Sequence, residues 1–538
     1  MYILGIHGNF GRAEHDGAAV LIKDNNIIAA VEEERFIRYK HSVGLMPDLA
    51  IEYCLSSANI TMKDVDFIAF PRKTWKDFNT RFKSYLSYRF GYVPNITYVD
   101  HHTAHAASSY FISGFSQSLI ITIDQAGDGI SCGVYRGKNN TINLLEEIPF
   151  PHSLGLFAAF ITQYLGFRSN HDEYKVMGLA SYGKPSIDLS PLINFDGGNI
   201  HLNVEMLHPE VMNRYPIFHT DQLPMFRDKT YKFLPPPRRK NDPLLNDHKD
   251  LAASAQKVIE DALFALINKH KSSTDTHICI AGGVGENSVF NGKLAEKKMF
   301  TDIYVSPACG DSGSALGAAL YVAVQKGFTF PKLVDNKLGP SYSNKYITDM
   351  LNSYRVSFTL LEDTAYETAK LLKKQHIVAW FQGKLEFGPR ALGSRSLIAD
   401  PSSEEMKKRV NQIKKREQFR PFAPSILDEH VKELFNTYQS SPFMSFTLNT
   451  NKKGQKKIVA ATHIDHTGRI QTVLKDKSLY RLMIEEFYEL TNIPAVLNTS
   501  LNSSWEPIIE SPEQALAFFY SSEATALVIG NHLVLKGK

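Results

Sequence analysis

The chain has 538 residues, more than one globular domain usually holds, so we expect two domains. Hydrophobic residues make up 43% and charged residues 22% of the chain, a balance that excludes wholesale disorder. The formal net charge is only +4, which gives no electrostatic reason to expect a dedicated nucleic-acid-binding protein. The four cysteines include no CxxC pair, so the sequence predicts reduced thiols and not a disulfide framework.

The first residues, MYILGIHGNFG, lack the basic region and the long apolar run of a signal peptide. No stretch of the sequence approaches the roughly 18 to 20 consecutive apolar residues that a membrane-spanning helix needs. We therefore expect a soluble protein of the cytoplasm.

The N-terminal half repeats one pattern of strands and turns. After an apolar run at the N-terminus, residues 18–22 and 26–31 predict two strands joined by a short turn. A strand, an acidic and glycine-rich turn and a second strand return at residues 118–123 and 130–135. This repetition predicts a duplicated α/β architecture of the kind found in actin-like ATPases, although many hairpins also contain Asp and Gly.

Further along, apolar spacing predicts a helix over residues 249–271, followed by a short strand over residues 277–280. Periodicity lapses at residues 330–343, which we interpret as the linker. Residues 378–381 open a second α/β unit that continues to the C-terminus. We therefore expect one domain over residues 1–340 and another over residues 341–538.

The densest group of candidate ligands is the segment DHHTAHA at residues 100–106. On a helix, His101 and His105 share one face, while His102 points about 100° away. Two imidazoles in this arrangement can bind one metal ion, and the glycine-flanked Asp311 is a candidate third ligand. The alternative is that these histidines are surface or capping residues.

The segment AGGVG at residues 281–285 follows a predicted strand, and no GxxxxGK[ST] motif occurs in the chain. Its backbone amides could approach a phosphate or a ribose. A tight strand-to-helix turn with no ligand explains the same pattern.

Two C-terminal segments, at residues 383–396 and 414–425, combine Lys and Arg with Gly, Pro and Phe. A run of charges usually marks a solvated surface. Here the stiff intervening residues bring the cations together, and arginine binds phosphate through two parallel hydrogen bonds. The two segments therefore predict a site for a phosphorylated or acyl-phosphate substrate.

The order of these motifs resembles the ATP-dependent O-carbamoyltransferases of the NodU/CmcH type. The resemblance covers nearly the whole chain. The segments that carry it are HDGAA (15–19), EEERF (32–36) with Lys40 and His41, the cluster at 101–110, EYKVMGLA (173–180), residues 281–291, GPRALGSRS (388–396), FRPFAPS (419–425), THID (462–465) with RIQ (469–471), and NTS (498–500).

This resemblance implies an actin-like N-terminal domain, shared with tRNA threonylcarbamoyl transferases, and a YrdC-like C-terminal domain. It implies that the C-terminal domain makes carbamoyl-adenylate from carbamoyl phosphate and ATP. The intermediate then passes inside the protein to the N-terminal domain. There a hydroxyl of a small-molecule acceptor, such as a sugar or an antibiotic precursor, attacks the carbamoyl carbon and AMP leaves.

The resemblance also assigns roles to residues. It implies that His15 and Lys40 lie near the acceptor, with His15 a candidate general base, and that His101, His105 and Asp311 hold a metal. His15 as a mere turn residue is the alternative. For nucleotide or carbamoyl-adenylate in the N-terminal domain it implies Asp124, Lys175, Gly282, Gly283 and Asn287. For carbamoyl phosphate and ATP in the C-terminal domain it implies Lys384, Arg390, Arg395, Ser396, Lys414, Arg416, Arg420, Asn498 and Ser500.

The implied cofactors are a divalent metal, with iron first and zinc or manganese as alternatives, and magnesium with ATP. The expected partners are ATP, carbamoyl phosphate and the hydroxyl acceptor, without nucleic acid. Acceptor specificity is expected in the loops at residues 74–90 and 215–243. Glu286 and Trp505 depart from the family pattern, and we expect the loop around Trp505 to differ locally because glycine is common there.

Two other functions fit parts of the same pattern. One is threonylcarbamoylation of tRNA, which the small net charge does not favour. The other is a non-catalytic actin-like nucleotide-binding module, against which the histidine cluster and the arginine-rich segments argue. Sequence does not identify the acceptor, the metal or the oligomeric state.

Overall fold

A computed structural model describes residues 1–11, 15–73, 77–208 and 226–536. Contacts between Cα atoms divide the chain into two units. The first unit comprises Met1–Ala30, Ser42–Asn287 and Lys298–Leu333. The second comprises Val31–His41, Ser288–Lys297 and Val334–Lys538, so it includes two short segments from the N-terminal half of the sequence.

Two five-stranded sheets form the framework of the first unit. One contains β1 (Tyr2–His7), β2 (Ala18–Lys23), β3 (Asn26–Glu32), β4 (Phe67–Phe70) and β5 (Asn95–Tyr98). The other contains β6 (Gln117–Gly127), β7 (Ile130–Lys138), β8 (Thr141–Pro149), β11 (His277–Ala281) and β12 (Asp302–Val305). Between β8 and β11 in sequence, β9 (Ile193–Asn194) and β10 (His201–Leu202) form a separate two-stranded sheet.

The two five-stranded sheets have the same topology. Their strand orders are β3-β2-β1-β4-β5 and β8-β7-β6-β11-β12. In the first sheet, β1 pairs antiparallel with β2 and parallel with β4. In the second, β6 pairs antiparallel with β7 and parallel with β11. This repetition confirms the predicted duplicated α/β architecture of the N-terminal half.

The helices are short except for one of 25 residues near the middle of the chain, close to the predicted span. They are α1 (Glu34–Ile37), α2 (Asp48–Ser57), α3 (Phe78–Phe90), α4 (His101–Tyr110), α5 (Leu154–Tyr164), α6 (Glu173–Ala180), α7 (Asn246–His270), α8 (Ser288–Glu296), α9 (Asp311–Gln325), α10 (Asn344–Ser353), α11 (Thr364–Lys373), α12 (Glu404–Ile413), α13 (Val431–Leu434), α14 (Lys452–Lys457), α15 (Leu479–Thr491) and α16 (Pro512–Ser521).

The second unit is built on a nine-stranded sheet of order β13-β21-β20-β14-β15-β19-β16-β18-β17. Its strands are β13 (Thr359–Leu360), β14 (Val378–Phe381), β15 (Arg395–Ala399), β16 (Ala423–Leu427), β17 (Phe446–Asn449), β18 (Thr467–Val473), β19 (Ala495–Ser500), β20 (Ala526–Ile529) and β21 (His532–Leu535). Alternate residues of β14 enter different hydrophobic clusters, with Val378 and Trp380 in one and Ala379 and Phe381 in the other. Both faces of this strand are therefore covered.

The four cysteines are buried free thiols, in agreement with the sequence prediction. Within the described ranges, the helices lack the length and the apolar run that would let one cross a membrane.

Helices α4 and α9 approach each other closely in the first unit, and a glycine makes this approach feasible. A Cβ atom added to Gly317 would lie 1.7 Å from the carbonyl oxygen of Ala104. Any larger residue at position 317 must therefore push the two helices apart.

We predict that Gly317→Ala lowers the free energy of unfolding by at least about 2 kcal/mol, because overpacking a rigid interface forces the backbone to shift. Denaturant titration measures the change. Gly11→Ala is the control, since its added Cβ would meet no atom within 4 Å. Equal stability of the two variants would contradict the predicted constraint.

Candidate functional site

The histidine cluster lies on α4, which begins where Asp100 caps it by accepting a hydrogen bond from the Thr103 amide at 3.0 Å. Asp128 accepts a second one from the backbone amide of His101 at 3.0 Å. Both carboxylates satisfy amides that a helix start leaves without partners. The predicted helical spacing of His101 and His105 is thereby confirmed.

The side chains of His101 and His105 are fully buried, and their Nε2 atoms lie 3.1 Å apart. The Asp124 Oδ2 atom lies 3.3 Å from His101 Nε2 and 3.0 Å from His105 Nε2. The Asp311 Oδ1 atom lies 3.7 Å and 3.5 Å from the same two nitrogens. One atom from each of the four residues falls within 4.8 Å of the others, so this group could hold a metal ion.

The electrostatics of this group fit a cation. Burial lowers the pKa of His105, but hydrogen bonds and charges of Asp124 and Asp311 outweigh it and raise the pKa to about 9. Burial raises the pKa of Asp311, yet the histidines bring it to about 2. Two carboxylates beside two imidazoles therefore retain negative charge, which one shared cation would balance.

Asp124 was predicted to bind nucleotide, and the structure places it with His101, His105 and Asp311 as the fourth member of a group that could hold a metal ion, the candidate metal-ligating group. It lies within β6, in the stretch between Ile123 and Gly127 where the pairing of β6 with β7 is irregular. A Cβ atom on Gly127 would lie 2.0 Å from the ring of His101. The glycine thus leaves room for the imidazole beside the strand, an arrangement that sequence spacing does not reveal.

His102, the middle histidine of the cluster, has a structural role. Its Nδ1 lies 2.8 Å from the Thr122 hydroxyl and its Nε2 lies 3.0 Å from the Ile130 carbonyl oxygen. Burial and the charges of the neighbouring histidines lower its pKa to about 3. The neutral imidazole forms a hydrogen bond through each ring nitrogen and so fixes α4 against β6 and β7.

His7 is a site residue that sequence reasoning missed. It is buried at the end of β1, and its Nε2 donates a hydrogen bond to the His15 carbonyl oxygen at 3.0 Å. The same atom lies 3.7 Å from Asp311 Oδ2. Its position after the first strand was a usable signal, because ligands of α/β proteins gather at the carboxyl ends of strands.

The predicted general base, His15, pairs through Nδ1 with Asp16 Oδ2 at 2.7 Å. Since His7 holds the backbone of His15 and also faces Asp311, the structure brings His15 and the metal-ligating group to one region of the first unit. Lys40 belongs instead to the second unit, where its Nζ lies 3.5 Å from the Ser504 carbonyl oxygen.

The other N-terminal candidates for nucleotide binding are Gly282, Gly283, Asn287 and Lys175. A Cβ atom on Gly283 would lie 3.3 Å from Asp124 Oδ1, and Gly282 adopts a φ of +86°. Asn287 exchanges two side-chain hydrogen bonds of 3.1 Å with Gln256. Lys175 pairs with Asp172 at 3.2 Å. The two glycines are thus adjacent to the metal-ligating group, whereas the contacts of Asn287 and Lys175 are with other residues.

In the second unit, Lys414 is buried and its Nζ reaches Ser500 and Asn502. It donates to the Ser500 carbonyl oxygen at 2.5 Å and to that of Asn502 at 2.7 Å. Burial and the positive charges of Arg416 and Arg420 nevertheless lower its pKa well below the usual value. Binding of an anion would stabilise the charged form of a buried lysine that has other positive charges nearby.

Arg416 and Arg420 flank this lysine. Arg416 donates to Asn411 Oδ1 at 2.6 Å and stacks over Phe422, with 4.1 Å from its guanidinium carbon to the ring centroid. Arg420 lies 3.7 Å from Glu417. These contacts hold two planar cations near Lys414, and their binding of phosphate stays a prediction.

The geometry argues against the predicted phosphate-binding role of Arg395. This residue is fully buried, its guanidinium stacks 3.6 Å from the Phe381 ring centroid, and its Nη atoms donate to carbonyl oxygens of Gln382, Gly383 and Pro340 at 2.8 to 3.1 Å. We correct the prediction because donors that already satisfy buried carbonyls are not available to a substrate.

Two other predicted polar residues also hold the backbone. Ser396 accepts a hydrogen bond from the Gly393 amide at 3.1 Å, and Asn498 donates to the Ala391 carbonyl oxygen at 3.1 Å. Both bracket the loop that carries Arg390, which is half-buried. Lys384 is exposed on the preceding turn.

Of the two loops that were predicted to select the acceptor, residues 74–76 and 215–225 lie outside the described residues. The prediction of a loop over residues 74–90 is wrong for most of that span, because Phe78–Phe90 forms the helix α3. Trp505 has an ordinary negative φ, so it does not need the freedom of glycine. Its ring is exposed and lies 5.4 Å from Lys415 Nζ.

We predict that Asp124→Asn weakens metal binding at least roughly tenfold, because loss of even an outer-shell partner of a metal ligand commonly lowers metal affinity by that factor. Equilibrium dialysis with iron, zinc or manganese, followed by elemental analysis, measures bound metal. Asp100→Asn, the same change at the cap of α4, retains full binding since Asn caps helices equally well. If both variants bind alike, Asp124 is not a ligand.

We predict that Arg395→Ala lowers the free energy of unfolding by at least about 2 kcal/mol, because it strands several buried carbonyl oxygens. Arg390→Ala changes it by less than about 0.5 kcal/mol, as expected for a partly exposed side chain. Thermal and denaturant unfolding of both variants decide this. A stable Arg395→Ala protein would restore the original phosphate-binding assignment.

Comparison with known proteins agrees with both halves of this description. Residues 2–92 and 86–320 match the family model described as carbamoyltransferase N-terminus, and residues 369–536 match carbamoyltransferase C-terminus. The nodulation protein NolNO of Sinorhizobium fredii is 35% identical over 97% of this chain and 79% of its own length. NolO of Bradyrhizobium diazoefficiens is 37% identical, covering 81% of this chain and 79% of that protein.

Among solved structures, HypF of T. kodakarensis aligns with 62% of this chain and 49% of its own, at 14% identity and a TM-score of 0.34. The family models together cover well over half of the sequence. The chain belongs to the carbamoyltransferase family and is an enzyme of that class.

Proposed function

We propose that this enzyme transfers a carbamoyl group from carbamoyl phosphate to a hydroxyl of a small molecule, using ATP. The C-terminal unit makes carbamoyl-adenylate, and the N-terminal unit transfers its carbamoyl group to the acceptor. The observation that carries the proposal is the buried ammonium group of Lys414 with the half-buried Arg416 and Arg420 beside it, because an anionic substrate relieves the repulsion among their positive charges.

The first reaction needs this positive site at each stage. Water cleaves carbamoyl phosphate into carbamate and inorganic phosphate. A carbamate oxygen then attacks the α-phosphorus of magnesium-bound ATP, and pyrophosphate leaves. Every species carries negative charge, so preorganised cations lower the barrier by stabilising charge as it moves.

The second reaction joins the acceptor to the activated carbamoyl group. The acceptor oxygen attacks the carbamoyl carbon, its proton passes to His15 Nε2, and the bond to the AMP oxygen breaks. Asp16, at 2.7 Å from His15 Nδ1, holds the imidazole and favours the protonated form that results. Because carbamoyl-adenylate hydrolyses readily, we propose that it moves between the sites without release to water.

The group formed by His101, His105, Asp124 and Asp311 fits a divalent metal, since two imidazole nitrogens and two carboxylates converge there. This donor set suits iron, zinc or manganese. When bound, the metal supplies positive charge for the adenylate phosphate.

The acceptor, a sugar or another natural product, and a cytoplasmic location are part of the proposal. We expect no nucleic-acid partner because the net charge is close to neutral for this length. Membership of the carbamoyltransferase family favours an enzyme over a non-catalytic nucleotide-binding module.

A trapping experiment tests the proposal without knowledge of the acceptor. The enzyme is incubated with ATP, carbamoyl phosphate and hydroxylamine, which attacks carbamoyl-adenylate to give hydroxyurea and AMP. We expect AMP, pyrophosphate and phosphate by ³¹P NMR, and hydroxyurea by mass spectrometry, only when both substrates are present. ADP as the nucleotide product would contradict the adenylate route.

Two variants separate the reactions. Arg390→Ala lowers pyrophosphate formation at least tenfold. His15→Ala retains carbamoyl-phosphate-dependent pyrophosphate formation but loses transfer to the acceptor, since His15 serves only the second reaction.

A further inference from the structure

A short segment from the N-terminal half, Val31–His41, belongs to the second unit. Its first four charged side chains, from Glu32 to Arg35, are buried: Glu32 is 4% exposed, and Arg35 is 2% exposed. Arg35 pairs with Glu32 through Nε at 3.3 Å and with Glu34 through Nη1 at 2.7 Å. The proposed reaction uses neither Glu32 nor Arg35, so this buried network needs another explanation.

The network binds both backbone polar groups of Gly388, in the loop that carries Arg390. Arg35 Nη2 donates to the Gly388 carbonyl oxygen at 2.8 Å. The Gly388 amide in turn donates to Glu32 Oε1 at 2.6 Å. Gly388 has a φ of +114°, a conformation that other residues rarely adopt, so the two peptide groups that meet at this residue have a fixed and unusual orientation.

The far end of the same loop is fixed by another carboxylate. Glu386, fully buried, accepts hydrogen bonds from the amides of Leu392 and Ser394, both at 2.7 Å. Arg390 therefore projects from a stretch of chain that is anchored two residues before it and two residues after it. Its backbone has little freedom to move.

The same segment also holds a second loop of this unit. Arg38 donates to the carbonyl oxygens of Pro507 and Ile508 at 2.8 and 2.7 Å. This stretch follows Asn502, whose side chain and carbonyl contact the Lys414 ammonium group. One segment thus holds the loop that carries Arg390 and a second loop that contacts Lys414.

We infer that Glu32 and Arg35 are positioning residues that set the direction of Arg390 for the formation of carbamoyl-adenylate. The inference rests on the proposed function of the C-terminal unit. Buried ion networks often stabilise no more than apolar residues of the same size. The reciprocal grip on Gly388 is therefore better explained by the geometry that it fixes than by stability alone.

The test is Arg35→Lys in the full chain, assayed by carbamoyl-phosphate-dependent pyrophosphate formation with hydroxylamine as trap. Lysine lacks the rigid fork of the guanidinium, so its one nitrogen does not reproduce the separate positions of Nε, Nη1 and Nη2 toward Glu32, Glu34 and Gly388. We expect kcat/KM for carbamoyl phosphate to fall at least tenfold. Arg136→Lys is the matched control, because Arg136 is also ion-paired, with Asp275 at 2.8 Å, and lies in the first unit; we expect less than a twofold change.

A double-mutant cycle separates positioning from general destabilisation. In an Arg390→Lys background, Arg35→Lys should lower kcat/KM for carbamoyl phosphate by less than a further twofold, because the side chain that Arg35 positions is already replaced. A full tenfold loss on top of Arg390→Lys would overturn the inference, as would wild-type activity of Arg35→Lys. If Arg35→Lys does not fold, Glu32→Gln, which keeps the side-chain size, is measured in the same cycle with the same criteria.

The two proposals fail in different ways. Wild-type enzyme that forms no pyrophosphate would refute the proposed function. Active wild-type enzyme with additive Arg35 and Arg390 substitutions would refute only the positioning role.

Discussion

Two imidazole nitrogens only 3.1 Å apart, in a buried place beside two carboxylates, form an arrangement that is stable only if a positive charge is shared among them. The fold of the first unit is organised to keep them there. Gly317 lets α9 touch α4, and Gly127 makes room on β6 for an imidazole ring. Backbone close approach, and not side-chain length, brings these groups together.

The second unit presents the opposite electrostatic problem. Lys414 lies buried with Arg416 and Arg420 as neighbours, and the oxygens of Ser500 and Asn502 compensate it only in part. One unit therefore favours a cation and the other an anion. The proposed route through carbamoyl-adenylate would use both, because phosphate groups must be held in one reaction and released in the next.

Local periodicity explains what sequence could predict. The spacing of His101 and His105 follows from helix geometry, and β14 was apparent as a short apolar run. The duplicated sheets were visible because each begins with the same strand and turn pattern. Clusters of arginine in the sequence led to the prediction of a phosphate site, and the structure places Lys414, Arg416 and Arg420 near one another.

Long-range contacts explain what was not predicted. Asp124 joins the histidines only because β6 runs beside α4, and nothing in its own turn distinguishes a metal ligand from a nucleotide-binding residue. Arg390 and Arg395 look alike in sequence. Only the stacking of Arg395 on Phe381, and the carbonyls around it, show that it holds the loop from within. Sequence also gave no sign that residues 31–41 pack with the C-terminal unit.

This interleaving matters for anyone who exchanges modules between relatives. A chimera joined between residues 333 and 334 would take its C-terminal part from one parent and the segments 31–41 and 288–297 from the other. Contacts such as those of Arg35 with Gly388, or of Asn291 with Ser445, would then join residues from different parents. Transfer of all three segments of the second unit together preserves these contacts. The part of the gene that must be exchanged as one module is therefore discontinuous.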